Sequence, residues 1–108
     1  MGFHKSSMNI HLKDSHVLCA YCQRPSGEAT YSELDLDAIL GTVKGKFKWS
    51  AENFSSSAAN VTLEQDNPEH NPLLHARLHD GEGLHEEVVN LADCIKNEDG
   101  KLKYMGCF

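Results

Sequence analysis

Four cysteines are the residues whose type and spacing first suggest chemistry. Cys19 and Cys22 form a Cys-x-x-Cys pair, which could serve thiol–disulfide exchange or supply half of a zinc site. A redox pair opens a helix after a strand, whereas residues 18–22 form a strand-like run followed by turn residues, and on a strand these two thiols point to opposite faces. Zinc would need a second pair of ligands at similar spacing, which Cys94 and Cys107 do not provide. We therefore expect no metal and four free thiols, with Cys107 in a loose tail.

The other reactive residues form no catalytic motif. Acidic residues are plentiful, but none lies in a pattern that places two carboxylates across a cleft, as glycoside hydrolysis requires. The sequence has no G-x-S-x-G, H-E-x-x-H or phosphate-binding loop. We predict that the protein is not an enzyme and uses no cofactor.

Composition and charge narrow the possible partners. The 108 residues carry a formal net charge of −6, which argues against binding a phosphate backbone, so nucleic acid is not an expected ligand. No run approaches the roughly 18 apolar residues of a membrane span, so no membrane partner is expected. The first twelve residues lack the apolar core of a secretory signal. The expected location is the cytoplasm, with non-classical export possible.

An internal repeat organises the elements that must position any binding site. Phe3, Ser6 and Asn9 recur as Phe54, Ser57 and Asn60, which lie 51 residues later in the chain. Later blocks recur at offsets of 56 and 55, and the clearest is G-K-F-K-W at 45–49 against G-K-L-K-Y at 100–104. Each copy of about 50 residues is too small to hold a core easily by itself. We predict one domain over residues 1–108, with repeats at about 3–49 and 54–104.

Alternating apolar and polar residues predict an all-β fold with short helical turns. Apolar positions alternate with charged ones in both K-x-K segments, as expected for strands with one buried face. Residues 37–40 and 92–95 suit single helical turns, and residues 43–46 and 98–101 suit hairpin turns, with Asp99-Gly100 the stronger signal. The expected core residues share a place on the apolar faces: Leu36, Ile39, Phe47, Trp49, Phe54, Leu91, Ile95 and Leu102.

These residues together resemble a known lectin family, the cyanovirin-N homology domain. The resemblance rests on L-D-L-D-A-I at 34–39 with G-K-F-K-W at 45–49, on N-F-S-S-S at 53–57, and on V-N-L at 89–91 with N-E-D-G-K-L-K-Y at 97–104. It implies a pseudo-two-fold symmetric, strand-exchanged fold. One half would contain about residues 1–39 with 95–108, and the other about 40–94.

The chain departs from the founding members of that family in its cysteines. A disulfide staples each half in those members, but here the partner position of Cys22 falls at Ser7 or Met8. The second pair falls at Ala58 and Leu78. We expect neither family disulfide to form, as in a fungal-type member whose core suffices without staples.

The resemblance also implies two sugar pockets for mannose-rich glycans. The first combines the amino-terminal segment, the turn after Cys22 and the last hairpin, here Gly2, Lys5, Ser6, Gln23, Arg24, Pro25, Ser26, Asn97, Glu98 and Asp99. The second comprises Gly41, Thr42, Val43, Lys44, Glu52, Asn53, Ser56, Ser57, His79, Asp80, Gly81 and Glu82. Lys44 stands at the position of Asp99, and an ammonium cannot accept hydrogen bonds. We expect the second pocket to be weak or silent.

Two other functions remain open at this point. One is a protein-interaction module that keeps the lectin fold without sugar affinity. The other is a thiol- or metal-linked protein that uses Cys19, Cys22 and Cys94. The protein is expected to be mainly a monomer. A domain-swapped dimer is possible through a hinge at about residues 50–53.

Overall fold

Strands and short 3-10 turns follow one another in the same order in both halves of the sequence. The computed structural model describes residues 3–66, 68 and 70–105. Its 3-10 turns are Phe3–Ser6, Leu36–Ala38, Phe54–Ser57 and Leu91–Asp93. Its strands are β1 (Ser7–Lys13), β2 (Val17–Gln23), β3 (Ala29–Asp35), β4 (Leu40–Val43), β5 (Lys46–Trp49), β6 (Ala58–Glu64), β7 (Leu73–His79), β8 (Leu84–Asn90), β9 (Ile95–Glu98) and β10 (Lys101–Tyr104). The predicted all-β fold with short helical turns is confirmed.

The described strands form four antiparallel sheets in two equivalent sets. The strand orders are β1-β2-β3 and β6-β7-β8 in the larger sheets, and β4-β5 and β9-β10 in the two hairpins. β10 contacts β3, and β5 contacts β8. Each hairpin therefore packs on the three-stranded sheet of the other repeat, which is the strand exchange expected from the resemblance.

Both hairpin turns have the backbone that a two-residue β-turn requires. Lys44 and Gly45 have φ of 52° and 78°, and Asp99 and Gly100 have φ of 49° and 85°. Positive φ at both central residues matches the type I′ turn, whose twist fits that of the flanking strands. The turns predicted at 43–46 and 98–101 are thus present. The helical turns begin and end one or two residues earlier than predicted, because Leu40 and Ile95 already pair in strands.

A bulge interrupts the first strand of each three-stranded sheet at the same place. The register shifts between Met8 and His11 in β1 and between Ala59 and Thr62 in β6. Asn9 and Asn60, the repeated asparagines, both have φ of 53°. Asparagine tolerates this left-handed backbone better than most residues. The two repeats therefore share the bulge in this strand as well as its pattern of buried side chains.

One core cluster joins the two repeats. Phe3 and Phe54, both from the 3-10 turns, are 0% exposed and belong to this cluster together with Leu18 of β2 and Leu74 of β7. The predicted core residues Phe54, Leu36, Leu91, Ile95 and Leu102 are buried, whereas Ile39, Phe47 and Trp49 are partly buried against the cluster. Phe3 was not predicted to be core, although its repeat partner Phe54 was.

Trp49 and Tyr104, the last residues of β5 and β10, stack on each other. Their rings lie 5.7 Å apart between centroids with an interplanar angle of 13°. The two residues are equivalent in the repeat, and a residue that touches its own equivalent must lie near the pseudo-two-fold axis. The Ser50 hydroxyl also forms a hydrogen bond with the Tyr104 hydroxyl. Ser50 begins the linker between the two repeats, residues 50–53, so this bond connects the linker to the axis.

The cysteines follow the prediction in part. Cys19 and Cys22 are buried free thiols, and burial raises the pKa of Cys22. Ser7 pairs with Cys22 and Ala58 pairs with Leu78, so the positions of the family disulfides are those expected and hold no cysteine pair. Only Cys22 of the two thiols belongs to the core cluster, which agrees with opposite strand faces.

The expectation that Cys94 is a free thiol is wrong. Cys94 is disulfide-bonded. The Met105 amide donates to the Cys94 carbonyl at 2.9 Å, so the β9-β10 hairpin returns the chain at Met105 to Cys94. This proximity follows from the hairpin and was not drawn from sequence spacing. Cys107, expected in a loose tail, lies outside the described residues.

No helix among the described residues is long and apolar enough to cross a membrane.

Candidate functional site

Asn97 joins the three segments of the predicted first pocket. Its side-chain amide donates to Ser6 Oγ at 2.8 Å and to the Gln23 carbonyl at 2.8 Å, and its Oδ1 accepts from the Gly100 amide at 3.0 Å. The β9-β10 hairpin is thereby fixed against the end of β2 and the first 3-10 turn. Asn97 is one of the residues predicted for this pocket, and its side-chain amide holds the three segments of the pocket together.

Arg24 and Asp99 form the exposed edge of this cluster. Arg24 Nε lies 3.2 Å from Asp99 Oδ1, and the two side chains are 43% and 64% exposed. A carboxylate can accept about four hydrogen bonds, so Asp99 keeps acceptor capacity while Arg24 orients it. The pair presents donors and an acceptor side by side. Vicinal sugar hydroxyls, which both donate and accept, match that arrangement.

The remaining residues of the first pocket lie around this pair. Pro25 and Ser26 form an exposed turn that the Gly27 amide closes by donating to the Arg24 carbonyl at 2.8 Å. Glu98 Oε1 lies 3.4 Å from Lys103 Nζ. Lys5 lines a neighbouring cavity of about 350 Å³ together with His4, Met8 and His70. Gly2 lies outside the described residues.

The second pocket is built differently at the equivalent positions. Asp80 stands where Arg24 stands in the first repeat, and Lys44 stands where Asp99 stands. A Cβ at Gly45 would lie 2.8 Å from Asp80 Cβ, and a Cβ at Gly100 would lie 2.7 Å from Arg24 Cγ, so both hairpin turns press on the equivalent residue. The charges are reversed between the two halves: the sheet residue is basic and the hairpin residue acidic in the first half, and the opposite holds in the second. The carboxylate of the second pocket therefore sits on the sheet side and not on the hairpin.

Hydrogen bonds within its own loop occupy Asp80. Its Oδ1 accepts from the amides of Glu82 at 2.8 Å and Gly83 at 2.9 Å, and its Oδ2 pairs with His85. The two backbone amides, and then His85, lower the pKa of Asp80. Gly81 shares this loop and has a φ of 98°. The loop thus satisfies its own carboxylate.

Other residues of the second pocket divide between a cavity and the linker. Ser56, Ser57, His79 and Leu84 line a cavity of about 400 Å³. Asn53 holds the linker, because its amide donates to the Asp37 carbonyl at 2.8 Å and its carbonyl accepts from Ser56 Oγ at 2.8 Å. Gly41 lies against Glu52, with no room for a Cβ. Thr42, paired with Phe47, and exposed Val43 complete the β4 side.

The fold and these sites have counterparts among known proteins. A family model for the CVNH domain matches residues 3–103, nearly the whole chain. This chain belongs to the cyanovirin-N homology family. A cyanovirin-N homolog of Neurospora crassa is 31% identical in an alignment that covers 95% of this chain and 97% of the relative.

Solved structures of this family are similar along the whole CVNH domain. The NMR structure of the Gibberella zeae CVNH protein has a TM-score of 0.90 and 42% identity, and the match covers 96% of this chain and 97% of that one. Microvirin in complex with mannobiose has a TM-score of 0.83 and 26% identity, and that match covers 95% of this chain and 97% of that one.

One cluster of metal-binding residue types lies outside both pockets of this CVNH domain. His16, Asp35 and Asp37 place ligand atoms within 4.8 Å of one another. His16 Nδ1 lies 2.9 Å from Asp35 Oδ1. Asp37 accepts from the Ser55 amide at 3.0 Å and from Ser55 Oγ at 2.5 Å. Each carboxylate thus has a protein partner, and the cluster ties the β1-β2 turn to the residues that follow the linker.

The His16 and Asp35 pair predicts a pH dependence. The Asp35 hydrogen bond, together with the charges of Asp35, Asp37 and Asp14, raises the pKa of His16, and the same bond lowers the pKa of Asp35. A raised folded-state pKa stabilises the protein fully below the unfolded value of about 6.5. That stability is lost as pH rises through the folded pKa. The Asp35 contribution is lost at the other end, as pH falls through its lowered pKa.

The measurement is an NMR titration of the His16 ring protons. We expect the pKa of His16 to lie above 6.5 and to fall toward that value in Asp35→Asn. An unchanged His16 titration in the variant would disprove the assignment.

Two features near the sites were not predicted from sequence. A cavity of about 570 Å³ lies between β1 and β6, lined by Ile10, Leu12, Val61, Leu63 and neighbours, and it contains none of the predicted sugar ligands. Both ring nitrogens of His4 are buried without a hydrogen-bond partner in the described part of the chain, and burial lowers the pKa of His4. The cavity forms between strands of the two repeats, so the repeat pattern within one copy gives no signal for it.

Proposed function

We propose that this carbohydrate-binding lectin recognises mannose-containing oligosaccharides mainly through the pocket of the half that contains both termini. The observation that carries the proposal is the bonding of Asn97 to Ser6 and Gln23, which brings three chain segments together. Beside this junction, the exposed Arg24 and Asp99 offer complementary hydrogen-bonding groups. The ligand of microvirin, mannobiose, supports mannose as the first sugar to test.

The second pocket is the weaker candidate for a physical reason. The Asp80 carboxylate already accepts hydrogen bonds from two backbone amides and contacts His85. A sugar hydroxyl would have to compete with these partners for the same oxygens. In the first pocket, Asp99 has one charged partner and a largely exposed side chain. We therefore assign the main affinity to the first pocket.

Substitution of Asp99 tests the proposal. We expect Asp99→Ala to weaken mannobiose binding at least tenfold, because one charged hydrogen bond contributes about 1.5–3 kcal/mol. Calorimetry gives the affinity. Amide shifts on titration should concentrate near Ser6, residues 23–26 and residues 97–99, while those near Lys44, Asn53 and His79 should move little. The exposed Glu86→Ala is the matched control and should bind like the parent.

A companion variant tests the role of the reversed charges. Lys44→Asp alone would place a second carboxylate beside Asp80, so the single change should not create a strong second site. Lys44→Asp combined with Asp80→Arg reproduces the order of charges found in the first half and should add measurable affinity there. Shifts confined to the Lys44 and Asn53 region in the parent protein, or parental affinity in Asp99→Ala, would contradict the assignment.

A further inference from the structure

The His4 ring is held without a hydrogen-bond partner in the turn that carries Ser6 of the first pocket. Both of its nitrogens are buried, and neither has a partner in the described part of the chain. The turn is Phe3–Ser6, and the His4 ring meets the core residue Phe3 edge to face, with centroids 6.3 Å apart. A neutral ring can occupy this place. An imidazolium has two N–H donors and a charge, so it needs acceptors or water.

The charges that act on His4 are positive. Burial, and then Lys5 and the amino terminus, lower the pKa of His4. The turn packs against β1, β2 and β9. The titratable groups on the adjoining parts of these strands and in the neighbouring cavity are Cys22, Lys96, Glu98 and His70. Of these only Glu98 carries a negative charge, and its carboxylate pairs with Lys103. Protonation of His4 therefore meets no free carboxylate among the described residues.

The second repeat shows that the fold does not require a histidine at this place. Ser55 is the equivalent of His4, 51 residues later, and its amide and hydroxyl both donate to Asp37. The equivalent of Asp37 is Ala92, 55 residues later, whose side chain has no acceptor. The half with the first pocket thus combines an ionisable ring with the loss of the carboxylate that serves this position in the other half.

The cavity beside His4 gives a charged ring a place to move. It has a volume of about 350 Å³ and is lined by polar residues, among them Ser7, Asn9 and Gln65. A protonated ring that turns into this cavity meets water and amide oxygens, which accept its two protons. The ring then leaves its place against Phe3, and the short turn that contains both residues loses a packing contact.

The direction of the pH effect follows from the environment of the ring. An exposed histidine has a pKa of about 6.5, so a ring that is kept neutral carries no penalty above that value and a growing one below it. If the closed form takes up no proton, lowering the pH from about 7.5 to about 5 favours the form with the displaced turn by about 30-fold. Ser6 lies on the same turn, and its hydroxyl accepts from Asn97, which joins the three segments of the pocket.

We propose that His4 makes the first pocket acid-sensitive: protonation of its ring displaces the turn Phe3–Ser6, loosens the Asn97 junction and releases the bound sugar. The ligand in this inference rests on the proposed function. The displacement of the turn does not, because it depends only on the surroundings of His4.

The test compares the parent with His4→Phe, which keeps a ring but has no ionisable nitrogen. From about pH 7.5 to about pH 5, the parent should lose mannobiose affinity several-fold, and by at most about 30-fold, whereas the variant should change by less than about twofold. Without sugar, the NMR signals of the Asn97 side-chain amide should shift over this range in the parent alone. His16 and His70 are present in both proteins, so their titrations cancel in the comparison. His4→Ser, which introduces the residue of the second repeat, should behave like His4→Phe and covers a poor fit of the larger ring.

The outcomes separate this inference from the proposed function. If the parent binds no mannobiose at either pH, the proposed function fails, and the Asn97 signals still decide whether the turn moves. Equal affinity of the parent at both pH values, or an equal loss in the parent and in both variants, would show that His4 is not the sensor. Asn97 signals that stay in place in the parent would overturn the displacement of the turn. So would the simultaneous loss of all amide signals, which indicates global unfolding.

Discussion

Replacement of Phe54 by alanine is expected to lower the free energy of unfolding by about 3–5 kcal/mol. The Phe54 side chain is 0% exposed and packs on Phe47 with ring centroids 6.0 Å apart. Its removal leaves a cavity in the cluster that joins both repeats. Since a domain of this size is stable by about 5–15 kcal/mol, the variant should fold but melt much earlier. Urea unfolding followed by tryptophan fluorescence gives the free energy.

Two comparisons make this result specific. Phe3→Ala, the equivalent change in the other repeat, should have a loss of similar size, and each variant should unfold in one transition because the cluster is shared. Val88→Ala, at a side chain that is 50% exposed, should change the free energy by less than about 0.5 kcal/mol. Two separate transitions in Phe54→Ala, with one half still folded, would disprove a common core.

The second large effect is expected from Asn97→Ala. This change removes three hydrogen bonds, to Ser6 Oγ, the Gln23 carbonyl and the Gly100 amide. At about 0.5–1.5 kcal/mol each, their loss should lower the free energy of unfolding by about 2–3 kcal/mol, because the site is only partly buried. Mannobiose affinity should fall as well, since the hairpin that carries Asp99 is no longer fixed. Chemical denaturation and calorimetry measure the two effects.

Thr42 provides the matched control for Asn97. It occupies the equivalent place in the second repeat, 55 residues earlier, and Thr42→Ala should lower the stability by less than about 1 kcal/mol. If the two variants lose equal stability, then Asn97 acts through hairpin propensity and not through its three partners. Loss of affinity without loss of stability would instead make Asn97 a direct sugar ligand.

Much of the architecture could be predicted from the sequence, because the repeat presents the sequence pattern of each strand and turn twice. Gly45 and Gly100 marked the same hairpin turn twice. The family pattern placed the partner of Cys22 at Ser7 or Met8 and paired Ala58 with Leu78, and in the structure Ser7 lies opposite Cys22 and Ala58 opposite Leu78. The repeat does not define the first and last residues of a helical turn as well. Those residues depend on where the neighbouring strand begins to pair.

The internal contacts of the site could not be predicted in the same way. The sequence gives the donors and acceptors of Asn97 but not that partners 91 and 74 residues away satisfy them. The same holds for Arg24 and Asp99, which were predicted for one pocket without being predicted as a pair. Cys94 was expected to be a free thiol because its spacing was judged against the family pattern, and that spacing carried no signal for its disulfide bond.

The reversed charges at the two hairpin turns have a consequence for how the chain assembles. A pseudo-symmetric chain has two similar hairpins and two similar sheets, so each hairpin has a wrong sheet on which it could dock. In that arrangement Asp99 would meet Asp80, and Lys44 would meet Arg24, so both junctions would bring like charges together. Repulsion between them opposes the mispaired topology during folding. The charges thus favour docking of each hairpin on the sheet of the other repeat, although the two halves are similar in sequence.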